Sequence, residues 1–161
     1  MEISAYLRID GERQDFISGS GKRRDREDLV NIYSFKHEVL LPHQSQTHLG
    51  NGAVKHQPIV FTKEVDKSSP KLYQALVEKE ELSITLQWYR FDGKGEEQLY
   101  YQIGLEKAYL IRVESWTPDA NMQSLEHLRF METVSIAYER IHWSWGADGA
   151  TSYSTSWRGE P

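Results

Sequence analysis

Apolar and polar residues alternate along most of this chain with the period of two that marks half-buried strands. Ile3, Ala5, Leu7 and Ile9 share one parity between Ile3 and Asp10, Tyr6 alone breaks it, and Asp10-Gly11 ends the run with a turn signal. From Leu29 to Leu41 a second strand puts Tyr33, Phe35, Val39 and Leu41 on one face and Ser34, Lys36 and Glu38 on the other. Leu82, Ile84, Leu86 and Trp88 alternate with Ser83, Thr85 and Gln87 in a third. Asp92-Gly93-Lys94-Gly95 predicts a hairpin, and one apolar parity then runs through Leu99, Tyr101, Ile103, Leu105, Tyr109, Ile111 and Val113. At about 3.3 Å per residue a straight strand of that length would overrun a small domain, so Gly104 is the expected bend. Between Glu132 and Trp145, Val134, Ile136 and Tyr138 lie on one face and Ala137, Ile141, Trp143 and Trp145 on the other. Either a bulge switches the register midway, or the molecule's own core covers one face and another subunit the other. Gly146-Ala147-Asp148-Gly149 leads into a last strand ending near Trp157.

The period changes once, between His56 and Val77. Val54 to Val65 reads as a strand that Pro58 confines to an edge or to a strand's mouth. Ser68 and Ser69 then offer hydroxyl N-caps, and Pro70 occupies a first-turn position whose amide would be unpaired anyway. Leu72, Tyr73, Leu76 and Val77 form the apolar stripe of a helix over about residues 69–78. Glu78, Glu80 and Glu81 place negative charge where the macrodipole is already negative and limit its length. A helix below the ~12 to 15 residues needed for marginal stability in water must lie against a scaffold. The pattern as a whole predicts a mainly β fold: a closed or nearly closed β-barrel of two packed sheets with one short α-helix at its side.

Two stretches fall outside the alternation. Gln14 to Asp28 is a loop with a short extended piece around Phe16 and Ile17; its Lys22, Arg23, Arg24 and Arg26 interleave with Asp25, Glu27 and Asp28, so it reads as solvated rather than as a phosphate-binding patch. Pro42 to Gly52 has almost nothing apolar to fold around, and loops of this length in compact domains are commonly functional. It reads as an arm whose order depends on a neighbour.

With 161 residues, 39% apolar content and no cysteine, the chain is expected to form a single domain over residues 1–161 that stands without disulfides or metal. A formal charge of -5 argues against nucleic acid as a partner, and no apolar run approaches the ~18 residues of a membrane span. The amino terminus has no secretory-signal pattern. The histidines at 37, 43, 48, 56, 127 and 142 show no metal-ligand spacing, and the two GxG sequences fall in turns. Glu64 and Asp66 flank the helix start, where the dipole accounts for their charge. No catalytic, cofactor-binding or metal residues are expected. Two other readings remain: a monomeric barrel that binds a small apolar ligand among Trp88, Trp143 and Trp145, and an enzyme using Glu64, Asp66 or His56.

HQPIVFTKEVDKSSPKLYQAL resembles the signature of the haemolysin-coregulated protein (Hcp) family, the tube subunits of bacterial type VI secretion, and in particular its enterobacterial-type branch. Ser34-Phe35-Lys36-His37, the Pro42 to Gly52 loop, TLQWYRFDGKGEE, LYYQIGLEKAYLIRV and VSIAYERIHWSWGADG resemble family segments in the same order, across essentially the whole chain. The resemblance implies a barrel with one helix at its side, homo-hexameric rings, and rings stacked into a tube. It implies sheath, spike and effector proteins as partners, with effector cargo carried in the ring. It also implies assembly in the bacterial cytoplasm, then export without a signal peptide. No catalytic residues transfer. The arm, Pro42, His43, Gln44, Ser45, Gln46, Thr47, His48 and Leu49, is assigned to ring stacking. The charged loop around Lys22 to Glu27 departs from the family pattern.

Overall fold

The computed structural model describes residues 3–43, 53–119, 121 and 129–158. Its elements run β1 (Ser4–Gly11), β2 (Asp15–Ile17), β3 (Val30–Lys36), β4 (Val39–Leu40), β5 (Lys55–His56), β6 (Ile59–Glu64), α1 (Ser69–Val77), β7 (Leu82–Phe91), β8 (Glu97–Trp116), β9 (Met131–Trp145) and β10 (Thr151–Ser156). Six strands close a circle, β1-β7-β8-β9-β6-β3 and back to β1, with every pairing antiparallel. The expected barrel is therefore one continuous sheet, and closure removes the free edges that an open sheet would carry. β2 continues the wall beside β1 and β10 beside β9, while β4 and β5 form a separate two-stranded ribbon. Leu7, Ile9, Phe61, Leu86, Leu105 and Ile136 are buried in its core. A barrel this narrow is filled by its own side chains.

Irregularities in the long strands decide which residues reach that core. In β9 the buried face changes from Val134, Ile136 and Tyr138 to Ile141, so the midway switch, the first of the two expected arrangements, is the one adopted. It coincides with a change of neighbour, β6 up to Ile136 and β10 from Arg140 onward. β8 switches opposite, with Leu105 and Ala108 both buried around Lys107, whose φ is 49°. The irregularities thus fall at Tyr100 and around Lys107 against β7, and at Ile111, between Leu110 and Arg112, against β9, rather than at Gly104. Gly104 has an ordinary backbone, and a Cβ there would meet only the Cβ of His142 at 3.9 Å.

A register shift between Ile32 and Ser34 of β3 leaves Tyr33 as the extra residue. Val30 and Ile32 consequently fill the core in its place, and Tyr33 is exposed. The run expected from Leu29 to Leu41 breaks at His37-Glu38. β6 is no edge strand, since it pairs with β3 on one side and β9 on the other, but Pro58 does sit at its mouth.

Helix α1 turns Leu72 and Ala75 fully inward, with Leu76 packed beside them. This i, i+3, i+4 set is one helical face. Tyr73 and Val77 lie about 100° round from Leu72 and Leu76 and remain exposed, Val77 at 77%. A stripe drawn through all four misses Ala75, whose small side chain allows close approach. The end of the helix is set by backbone geometry. Lys79 takes φ 53°, its N–H donates to the Leu76 carbonyl, and the Glu80 N–H donates to the Ala75 carbonyl, which together make a Schellman motif.

Candidate self-association surface

Past the ends of β3 and β6 the two chains part from the barrel wall as the β4–β5 ribbon. Val39 pairs with His56 and Leu40 with Lys55, and the Gln57 N–H donates to the Glu38 carbonyl at 3.0 Å. The arm expected from the sequence is carried at the ribbon's tip. Pro42 is half-buried and His43 exposed, while Gln44, Ser45, Gln46, Thr47, His48 and Leu49 lie outside the described residues. Val39, Leu41 and Val54 present exposed apolar surface on and beside the ribbon.

Two grooves flank its base. One runs over the outside of the wall between Leu40, Pro58, Val60 and Ile111, rimmed by Lys36 and Arg112. The other lies among Val54, Pro58, Ala137, Tyr138 and Trp157, with Lys55 and Arg158 at its margin. Ile111, Trp157, Trp145 and Tyr153 are each about half exposed or more.

The ribbon is fastened by one hydroxyl. His37 Nε2 lies 3.0 Å and His56 Nδ1 2.7 Å from the Tyr138 OH. The OH can donate to one ring while accepting from the other. Burial lowers the pKa of His37, with His56 adding to the effect, and burial lowers that of His56. Burial raises that of Tyr138. The six histidines are therefore not all scattered, because two meet here from positions 19 apart in a sequence that includes the arm between them.

Two charge clusters anchor the neighbouring elements. Lys63, on the inward face of its strand with Ile59 and Phe61, is fully buried; its Nζ pairs with Glu132 and Asp66 and donates to the Glu64 carbonyl at 2.8 Å and Ser69 Oγ at 3.2 Å. Ser68 is the N-cap residue, but neither serine caps the helix by side chain in the expected way. Ser68 Oγ donates to Asp66 Oδ1, and Ser69 Oγ donates to Glu132 Oε1 at 2.8 Å. The hydroxyls are recruited by the stronger, charged acceptors. Asp66 takes the capping role, accepting the Ser68 N–H at 2.8 Å. Burial alone would raise its pKa, but the Ser68 hydroxyl and Lys63 hold it below the usual value.

The charged loop is solvated as expected at Lys22, Arg23, Arg24, Asp25, Glu27 and Asp28, but Arg26 docks it to the wall. Arg26 is 8% exposed, with its guanidinium 5.0 Å from the Tyr6 ring and 4.1 Å from the Tyr89 ring. It pairs with Glu97, as does Arg23 at 2.9 Å. The Arg26 hydrogen bond leads the effects that hold the Glu97 carboxyl down to about 2. Tyr6, the parity exception in the first strand, was the available sign of this cover.

The site residues of the two other readings are dispersed. Trp88 packs edge-on to Phe35 at 4.8 Å, Trp143 stacks on Tyr153 at 6.1 Å, and Trp145 is 49% exposed, so the three tryptophans line no common cavity. Asp66 is occupied at the helix start and His56 at the ribbon.

A family model described as "Type VI secretion system effector, Hcp" matches residues 6–145. The "Major exported protein" of Pseudomonas aeruginosa is 32% identical, with 98% of this chain and 97% of that protein aligned. An Hcp crystal structure superposes with a TM-score of 0.89 at 29% identity, covering 98% of this chain and 99% of the other. Hcp1 from the E. coli EAEC 042 pathovar gives 0.85 at 30% identity, covering 97% and 99%. The secreted protein Hcp3 from Pseudomonas aeruginosa gives 0.78 at 30%, covering 98% and 100%.

Proposed function

Because the chain belongs to the Hcp family of type VI secretion proteins, we propose that it is a structural subunit of the secretion tube, closing into hexameric rings that stack and are exported. The observation that supports this reading most is the likeness in fold to Hcp proteins over almost the whole chain. Exposed apolar residues on the barrel wall and on the β4–β5 ribbon, and an arm with little apolar sequence of its own, suit a subunit whose partner is itself. A head-to-tail contact between two different faces closes into a ring under rotation. The reading involves no catalysis. Sheath, spike and effector proteins are its further partners, with effector cargo held in the ring lumen, assembly in the bacterial cytoplasm, and export without a signal peptide.

Native mass spectrometry tests the ring: a six-fold multiple of the 18.8 kDa chain is expected, and a monomer at high concentration would overturn it. The arm, Pro42 to Leu49, is assigned to contacts between rings. Its deletion leaves hexamers and abolishes tubes in electron micrographs; loss of the hexamer itself would refute that assignment.

A further inference from the structure

We propose that His37, His56 and Tyr138 form an acid-sensitive latch that holds the β4–β5 ribbon against the barrel. Three separate elements meet at one oxygen. His37 follows the last residue of β3, His56 ends the ribbon strand β5, and Tyr138 sits in β9 where that strand changes neighbours. The Tyr138 side chain is held from the core side, being 8% exposed, and its OH is the shared partner of both rings at 3.0 and 2.7 Å. Among the described residues, a further backbone tie is the Gln57 N–H to the Glu38 carbonyl, which lies within the ribbon's own base. Release of the hydroxyl thus removes a tie between ribbon and barrel without touching the barrel ladders.

The surroundings make the latch respond to acid. His37 is half-buried beside the rings of Phe35, Trp143 and Tyr138, at centroid distances of 6.4, 6.1 and 5.9 Å. On the His56 side the charged residues along the groove are Lys55 and Arg158, both cations. Among the described residues no carboxylate is paired with either ring. The bonded arrangement needs one ring nitrogen that accepts. Protonating both rings makes both nitrogens donors toward one oxygen and sets two positive charges across it. Both histidines titrate below the ordinary value when latched, so the latch is fully engaged above about pH 6.5 and is lost as pH falls below it. The ribbon carries the arm, so under the tube reading acid would loosen contacts between rings. The latch itself rests only on this geometry and stands or falls separately.

Hydrogen–deuterium exchange of the intact protein, corrected for the intrinsic pH dependence of exchange, reads it directly. Peptides covering Val39–Leu41 and Ala53–Gln57 are expected to lose at least about tenfold in protection between about pH 7.5 and 5, while β7 holds its own. Tyr138→Phe should begin with low ribbon protection and change less than about twofold over the same range. His37→Gln/His56→Gln, which can still hydrogen-bond the hydroxyl but cannot be protonated, should keep the ribbon protected in acid. Ribbon protection that is unchanged at about pH 5 in the natural sequence, or a Tyr138→Phe protein with an unaltered acid response, overturns the latch. Native mass spectra of the same samples report the ring independently, so a failure of assembly is not mistaken for a failure of the latch.

Discussion

Lys63 shows that strand parity can carry even a charged residue into the core when its charge is satisfied, since it shares the inward face of Ile59 and Phe61. An isolated ammonium in the core would be neutralised or excluded, yet here it meets Glu132 and Asp66, Ser69 Oγ and a backbone carbonyl. Removing one partner leaves the other stranded. Lys63→Met is expected to cost about 3–5 kcal/mol, read as a lower urea midpoint at unchanged m-value, while Lys63→Met combined with Glu132→Leu should recover most of it. Glu97 gives the corresponding acid dependence. Its carboxyl is held from 4.5 to about 2 by Arg26, so its contribution is complete above the ordinary value and is lost as pH falls through the folded one. Urea midpoints of Glu97→Gln should therefore fall less steeply than those of the natural sequence between about pH 4.5 and 2. Neither residue's partner was legible: charged letters in a chain that is 27% charged carry no mark of what they pair with, and Lys63 meets Glu132 across 69 positions.

At the scale of elements, alternation located the strands but could not locate their bulges. Periodicity records which residues are apolar, whereas Tyr33, Lys107 and Ile111 are displaced by pairing with strands far away in sequence. The helix was legible for a local reason, the Ser-Ser-Pro start, although the serines turn to Glu132 and Asp66. Its faces can be told apart by substitution. Leu72→Ala should cost about 2–5 kcal/mol in urea unfolding and Val77→Ser less than about 0.5, because only Leu72 leaves a cavity. Lys79 holds a left-handed C′ position that glycine occupies without a Cβ penalty, so Lys79→Gly should raise stability by up to about 1 kcal/mol. A loss would mean that the Lys79 stem packs more usefully than its backbone strain costs.

For the whole molecule, closure of the barrel sets a division of labour between inside and outside. The interior is filled by its own side chains, so the self-association proposed for it would draw on the outer wall and the ribbon, where Ile111, Trp145, Tyr153 and Trp157 stand exposed. Family segments in order along the chain made this class of fold legible, but not which face meets a neighbour, since the local pattern cannot say whether an outward apolar residue awaits a partner or merely water. Ile111 discriminates. It is the bulged residue of β8, 50% exposed, in the groove with Leu40, Pro58 and Val60. Ile111→Asp buries no charge in the isolated subunit and should change its urea stability by less than about 0.5 kcal/mol. If that groove receives the next copy, the same carboxylate is desolvated against Leu40 and Val60, and the native mass spectrum should shift from ring to monomer. An intact ring in the Ile111→Asp protein would place the contact elsewhere on the wall, with Tyr153 and Trp145 on the β9–β10 face as the next surface to substitute.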